Sequence, residues 1–519
     1  MDHENAVKAT QAIEGIVSFA VRTALIEEED RCYARNRLLD AMRMDAPEEE
    51  GSSLLEEYAA CPTLTPMLEK LEELAVSEGI IEDSADDKDR FGARLAGCVT
   101  PAPAEVRAAF AGKLAEGGPL AATEYFYDMS RACDYIRVDR IARNVRFMQD
   151  SPAGELEITI NPTKPEKDPK DIARELTAPK VGYPLCMLCV ENPGYAGRVK
   201  FPARFNHRMV PLTLDGCRWY LQYSPYAYYD EHCIVLNEKH TPMAITPHTF
   251  IRLFDFVDMF PHYFLGSNAD LPVVGGSILN HDHFQGGRHS FPMDRAGCEI
   301  ALNAPEEGVS ACIVNWPMSC VRLSGKDRGV LEKLAGDMLA AWRGWSDEAL
   351  GIFARTDAPH NTITPIAHKD GDMYTLDLVL RNNRKGTDEA TKEGIFHPHS
   401  DLHHIKKENI GLIEVMGLFI LPGRLKTELD ELARYLTGEI PIGCEPEEGS
   451  PLAKHYAWVR EIAVRTGTDL TRRQAEKEIH NELGVKCARV LADAGVYKQT
   501  AEGREGFVRF LRSIGYEKA

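Results

Sequence analysis

The feature that most restricts the fold of this chain is a change in the spacing of its apolar residues near residue 155. Up to about residue 150 they recur at helical spacing. Ile13, Ile16, Val17, Ala20, Val21 and Ala24 form one stripe, and the pattern returns over 68–76, 104–114 and 125–147. From Glu155 onward Leu156, Ile158 and Ile160 alternate with polar residues, the period of a half-buried strand. Further strands are expected at 219–223, 233–236, 273–279, 311–315 and 374–380, with helices at 247–260 and 328–345. Helical spacing resumes from about 446, at 456–464, 474–494 and 507–514. The expected fold class is α+β: a helical region over 1–150, a catalytic core over 151–445, and a helical region over 446–519.

Composition closes off several classes of function. The 519 residues carry 80 acidic and 60 basic side chains, a formal charge of −20. Duplex DNA or an anionic membrane would be repelled unless a local basic patch compensates, so neither partner is expected. The first 100 residues hold 23 acidic against 10 basic side chains, the pattern of a solvated helical surface. The longest apolar-looking stretch, 410–421, is broken by Glu414 and two glycines, too short and too polar to span a bilayer. Met1-Asp2-His3-Glu4-Asn5 lacks the basic and apolar regions of a signal peptide. Thirteen scattered cysteines, an odd count, do not read as a disulfide framework. A cytoplasmic location is expected.

Neither a GxxxxGK[ST] loop nor a GxGxxG strand–helix turn is present, so a bound nucleotide must be held in another way. The densest chemistry lies in Asp270-Leu-Pro-Val-Val-Gly-Gly-Ser-Ile-Leu-Asn-His281-Asp-His283-Phe-Gln285-Gly-Gly287. If its apolar run continues as a strand through Gln285, then His281, His283 and Gln285 share one face. Gly275, Gly276, Gly286 and Gly287 bracket that row, where missing side chains would let phosphates approach the backbone. A second feature is Cys186-Met-Leu-Cys189. Two thiolates need two further ligands for a tetrahedral zinc site; the alternative is a pair of buried structural cysteines. A third, His397-Pro-His399-Ser-Asp401-Leu-His403-His404, approaches the HxHxDH pattern of metallo-β-lactamase hydrolases with its last histidine displaced by one residue; the alternative is a polar loop over an active site.

At these residues the sequence resembles the galactose-1-phosphate uridylyltransferases, specifically the bacterial class II branch within the histidine-triad superfamily. The string from Asp270 to Gly287 is similar to that branch's signature, with Val273 and Asn280 departing from it. Residues 156–170, 224–233 and 403–416 are similar as well. The resemblance implies a histidine-triad-like antiparallel-sheet core of two related halves. It implies that His283 attacks the α-phosphorus of UDP-glucose, releases glucose 1-phosphate, and hands the UMP to galactose 1-phosphate to give UDP-galactose. Gln285 stands where many histidine-triad hydrolases carry a third histidine. An amide donates to a phosphoryl oxygen but cannot serve as a base toward water, which favours transfer over hydrolysis.

Ser277 and the backbone around Gly275 and Gly276 are candidates to steady the same phosphate oxygens; for Ser277 a turn-forming hydroxyl is the alternative. By resemblance, structural zinc falls on Cys186, Cys189, His240 and His281, with His232 the rival of His240. Asn206 is implied for the uracil and ribose, and Glu414 for the hexose hydroxyls. A bare carboxylate buried in an apolar run is costly, so Glu414 should be paired or functional. Arg381, Asn382, Asn383 and Arg384 either meet phosphate or sugar or form a solvated turn. A second metal, as in some class I relatives, has no complete ligand set here; Glu299 is its one candidate. A homodimer is expected because relatives are dimers. Two rivals stand beside the transferase: a histidine-triad nucleotide hydrolase or phosphorylase, and a non-catalytic zinc-stabilised nucleotide-binding protein.

Overall fold

The computed structural model describes residues 1–51, 55–162, 182–199, 201–276, 278–384, 395–407 and 409–519. Along them run the strands β1 (Val145–Ser151), β2 (Gly154–Asn161), β3 (Val210–Leu214), β4 (Cys217–Tyr223), β5 (Cys233–Asn237), β6 (Phe264–Gly266), β7 (His283–Gly287), β8 (Cys298–Asn303), β9 (Val309–Val314), β10 (Cys320–Gly325), β11 (Asn361–Asp370), β12 (Met373–Asn382), β13 (Leu418–Pro422) and β14 (Glu517–Lys518). The chain divides into two units. The first is Met1–Ala142 with Pro165–Ala227 and Glu231–Thr241; the second is Arg143–Lys164 with Tyr228–Asp230 and Pro242–Ala519.

In the first unit Asp2 opens the helix His3–Arg22 by accepting from the Asn5 backbone N–H at 2.8 Å. Ile13, Ile16, Val17 and Ala20 are fully buried along one face of it. Each of the isoleucine and valine side chains contributes about 1.5–3 kcal/mol on burial. The expected stripe stops short of Ala24, which lies past the helix end at φ 55°. This helix packs on Thr65–Ser77. Gly15 permits that approach, because a Cβ there would sit 2.6 Å from Met67 Sδ. The helix Pro103–Ala132 is kinked at Gly118 (φ 77°), immediately before Pro119. β3, β4 and β5 form an antiparallel meander. Asp215 and Gly216 make its first turn, both at positive φ, as a two-residue hairpin loop demands.

In the second unit β1 and β2 form a hairpin, and β13 joins β2 in parallel. The helical expectation for 125–147 fails at its end. Phe147 lies in β1 opposite Ile158, where seven consecutive cross-strand pairs override the local helical spacing. Leu156, Ile158 and Ile160 bury their shared face as their alternation predicts. They join a core with Trp316, Phe419 and Trp458 that also takes in the helices Arg424–Leu436, Tyr456–Thr466 and Arg472–Ala494. A second run of strands has the order β14-β8-β9-β10-β12-β11-β6-β7, all antiparallel. The helices Pro247–Met259 and Arg328–Gly344 pack against β11. The α+β class therefore holds. No described helix is long and apolar enough to cross a membrane.

The strand expected at 273–279 is absent among the described residues of that stretch. Residues 271–274 turn, Val273 takes φ 74°, and Gly275 makes only a single bridge to Ala269. Pro272 and the paired glycines impose turn geometry on an apolar composition. The strand begins only at His283.

Candidate functional site

In the first unit the segment 186–189 turns so tightly that the Cys186 backbone N–H donates to Cys189 Sγ at 3.3 Å and the Leu188 N–H to Cys186 Sγ at 3.4 Å. Asn192 locks this knuckle, its Nδ2 donating to the carbonyls of Cys186 (3.0 Å) and Cys189 (2.7 Å). The two sulfurs stand 3.6 Å apart, and His240 Nδ1 is 3.2 Å from Cys189 Sγ. Two thiolates on one tetrahedral zinc, with bonds of about 2.3 Å, would be roughly 3.8 Å apart, so these donors fit that ion. Burial pushes the Cys186 thiol up to about 12. A divalent cation displaces such protons on binding. His240, not its rival His232, is the imidazole grouped with the thiols. Asn206 is buried, and its Nδ2 donates to the Cys133 carbonyl at 2.9 Å. That bond pins the 203–208 segment to the end of the helix Pro103–Ala132.

In the second unit β7 carries His283 and Gln285 on one face, since side chains alternate and the two lie two residues apart. β7 pairs with β6, with Gln285 opposite Gly266 and Gly287 opposite Phe264. His281 is fully buried but precedes the strand, so it does not extend the row as the sequence suggests. Its backbone carbonyl takes up His283 Nδ1 at 2.8 Å. A carbonyl only accepts, so Nδ1 carries the hydrogen and Nε2 carries the lone pair. Burial pulls the His283 pKa down to about 4, so the ring is neutral at pH 7.

Gly275 and Gly276 serve the loop itself. A Cβ on Gly275 would lie 2.6 Å from the Ala269 carbonyl oxygen, and one on Gly276 would lie 2.9 Å from Asn268 Nδ2. The space expected for phosphates at these two side-chain positions is filled by residues 268–271. Ser277 lies outside the described residues. Asp270 anchors the loop by accepting from the Ile245 N–H (2.9 Å), Arg343 (3.2 Å) and the Thr362 hydroxyl.

Glu414 is 9% exposed, and each of its carboxylate oxygens has one partner. Its Oε1 accepts from Lys406 Nζ at 2.8 Å, and its Oε2 from the Gly411 N–H at 3.2 Å. Buried Asn268 accepts from the Leu412 N–H at 2.8 Å. One side chain thereby ties the glycine loop to the turn that presents Glu414. Asn268 is missed because its partner Leu412 is 144 positions away, and Lys406 because nothing in the similar stretch 403–416 marks it as the partner of Glu414. The sequence also gives no warning of His289, which bonds Glu157 through Nε2 at 2.8 Å and stacks on Tyr229.

Other expectations resolve differently. Arg381 and Asn382 are buried at the end of β12, not in a solvated turn. Arg381 donates to the Ile410 carbonyl (2.9 Å), Asn382 to Asn361 Oδ1 (2.6 Å), Asn383 Oδ1 meets His360 (2.8 Å), and Arg384 donates to the Gly351 carbonyl (2.6 Å). The histidines of 397–404 disperse: His403 bonds the Pro398 carbonyl, His404 meets His455 Nδ1 at 2.6 Å, and His399 faces Asp493. None joins a group of three metal-type ligands among the described residues. Glu299 pairs with Arg504 at 2.7 Å and stands outside those groups too.

Residues 24–242 match the galactose-1-phosphate uridyl transferase N-terminal domain, and residues 256–458 match its C-terminal domain. The galactose-1-phosphate uridylyltransferase of Caldanaerobacter subterraneus is 49% identical over 515 residues, 98% of each chain. The Bacillus subtilis protein of that name is 48% identical over 508 residues, 97% of each. Among solved structures, a yeast Ap4A phosphorylase aligns over 62% of this chain and 97% of its own, at TM-score 0.30 and 13% identity. With both family domains matched in order and nearly full-length relatives at almost half identity, this chain belongs to the galactose-1-phosphate uridylyltransferase family.

Proposed function

We propose that this enzyme moves UMP from UDP-glucose to galactose 1-phosphate through a uridylyl–His283 intermediate. The observation that carries the mechanism is the bond from His283 Nδ1–H to the His281 carbonyl. It leaves Nε2 as an unprotonated nucleophile, so attack needs no base. The Nε2 lone pair forms the nitrogen–phosphorus bond, the bond from the α-phosphorus to the bridging oxygen breaks, and glucose 1-phosphate departs with that electron pair. The phosphorylated ring keeps its Nδ1 hydrogen, and the His281 carbonyl offsets the positive charge that develops on the imidazole. A phosphate oxygen of galactose 1-phosphate then attacks the same phosphorus and releases His283.

Gln285, on the same face of β7 as His283, donates to a phosphoryl oxygen and offers water no base. The backbone N–H groups at Gly275 and Gly276, with Ser277, are assigned to the neighbouring oxygens. Glu414, held in place by Lys406 and the Gly411 N–H, accepts from the hexose hydroxyls. Asn206 braces the stretch assigned to the uridine. Zinc is assigned to Cys186, Cys189 and His240, with His281 as the fourth ligand. Bound there, zinc would supply a structural anchor: fixing His281 would orient His283 two residues on.

Intact mass after brief exposure to UDP-glucose tests this. The expected result is one added UMP mapped to a peptide containing residue 283. An adduct on another residue, or sustained hydrolysis with no adduct, would overturn it, the latter in favour of a hydrolase.

A further inference from the structure

We propose that Tyr229 is a positioning residue for UMP transfer that acts through Gln285. Its hydroxyl fixes the glycine peptide that follows Gln285 on β7, and the Glu157–His289 pair clamps its ring. This role rests on Gln285 donating to the phosphoryl group, and it accounts for what holds that donor still. Glu157, Tyr229, Gln285, Gly286 and His289 all lie in the second unit.

The end of β7 needs such a restraint. The strand finishes Gln285-Gly286-Gly287, and Gly287 takes φ 144°, a backbone conformation that residues with a side chain rarely adopt. The peptide between the two glycines therefore has no side chain on either flank to restrict it. Glycine also gives up more conformational freedom on folding than any other residue, so this stretch is held weakly by its own sequence. Gln285 stands immediately before that peptide, and the direction of its side chain follows the backbone there. A small displacement of a group that must meet the transition state is costly in rate.

Tyr229 supplies the restraint. Its hydroxyl donates to the Gly286 carbonyl at 3.0 Å in a buried bond, and its side chain is 1% exposed. A buried phenol needs an acceptor, and the acceptor here is the carbonyl one residue from Gln285. Aromatic neighbours fix the ring. Phe264, opposite Gly287 in the β6–β7 ladder, lies 5.8 Å from it, and Phe291 meets it edge-on at 5.2 Å. His289 stacks on it at 5.1 Å and 27°, while His289 Nε2 donates to Glu157 at 2.8 Å. Glu157 is paired in β2 between Met148 of β1 and Leu418 of β13, so the clamp is anchored in the β1-β2-β13 sheet. Tyr229→Phe keeps the packed ring and removes only the tether.

The test is a double-mutant cycle on the full chain, read as steady-state UMP transfer. Tyr229→Phe is expected to lower kcat about tenfold, roughly the worth of one hydrogen bond, with KM for both substrates little changed. In the Gln285→Ala background the same substitution should change kcat by less than about twofold, because the side chain it positions is gone. A kcat for Tyr229→Phe equal to the parent's would overturn the role. So would an equal loss with and without Gln285, which is what a merely structural tyrosine gives. If Tyr229→Phe does not fold, His289→Ala, which loosens the clamp and leaves the hydroxyl in place, goes through the same cycle and decides. A failure of the transfer mechanism itself shows separately, as a parent enzyme that forms no UMP adduct on residue 283.

Discussion

The side chain of His283 donates through Nδ1 to the backbone carbonyl of His281, two residues earlier, at 2.8 Å. This bond is local, so the tautomer that exposes Nε2 is set by the strand's own entry and not by a distant partner. Replacing His283 by Gly should lower exchange of labelled glucose 1-phosphate into UDP-glucose on the order of 10⁴-fold or more, with the circular dichroism spectrum unchanged. Exchange at the parent's rate would remove His283 from the reaction.

Gln285 is expected to act on the transition state and not on substrate binding. Gln285→Ala removes one donor to the phosphoryl group and should lower kcat by about 10²–10³-fold with KM little changed. Steady-state kinetics separate the two parameters, and a pure KM effect would contradict the role.

The buried Lys406–Glu414 pair makes opposite predictions for its two members. Glu414→Gln keeps the shape and should raise KM for hexose 1-phosphate about tenfold, near 1.4 kcal/mol. Lys406→Met strands a carboxylate that is 9% exposed and should cost about 3–5 kcal/mol of stability. Urea unfolding of both variants, beside the kinetics, checks the contrast.

Cys186→Ser should lower the metal content by one ion per protomer and reduce Tm, because a tetrahedral site missing one thiolate binds far more weakly. Unchanged stoichiometry would take Cys186 out of the ligand set.

Glu72 gives the stability of the first unit a pH dependence. Burial first, then the carboxylates of Asp89 and Asp134 working against Arg137 and Arg140, raises its pKa from 4.5 to about 7. The folded state therefore favours the protonated acid. That contribution is fully present below about pH 4.5 and is lost as pH rises through about 7. Glu72→Gln should match the parent at pH 5 and exceed its Tm by a few degrees at pH 8 (~2–4 °C per kcal/mol in a unit of this size). Thermal melts across that range decide it, and a gain confined to acid pH would reverse the sign.

Much of the architecture was legible from periodicity. The stripe through Ile13, Ile16 and Val17 and the alternation through Leu156, Ile158 and Ile160 mark buried faces because a helix and a strand each repeat at a fixed interval along the chain. The apolar stretch 273–279 misled for the same reason that periodicity works elsewhere: composition is local, but Pro272 and the glycine pair decide the backbone there. Phe147 misled because its helical spacing yielded to pairing with Ile158.

What the sequence determined by itself is whatever depends on covalent neighbours: the Cys186–Cys189 knuckle, the two-residue step from His281 to His283, and the shared face of His283 and Gln285. The tertiary structure alone decided which distant groups converge. It put His240 beside Cys189 across 51 positions, Asn268 under Leu412 across 144, and Tyr229 against Gly286 across 57. Short spacings are constrained by bond geometry, whereas such meetings depend on how whole elements pack, and no interval along the chain encodes that.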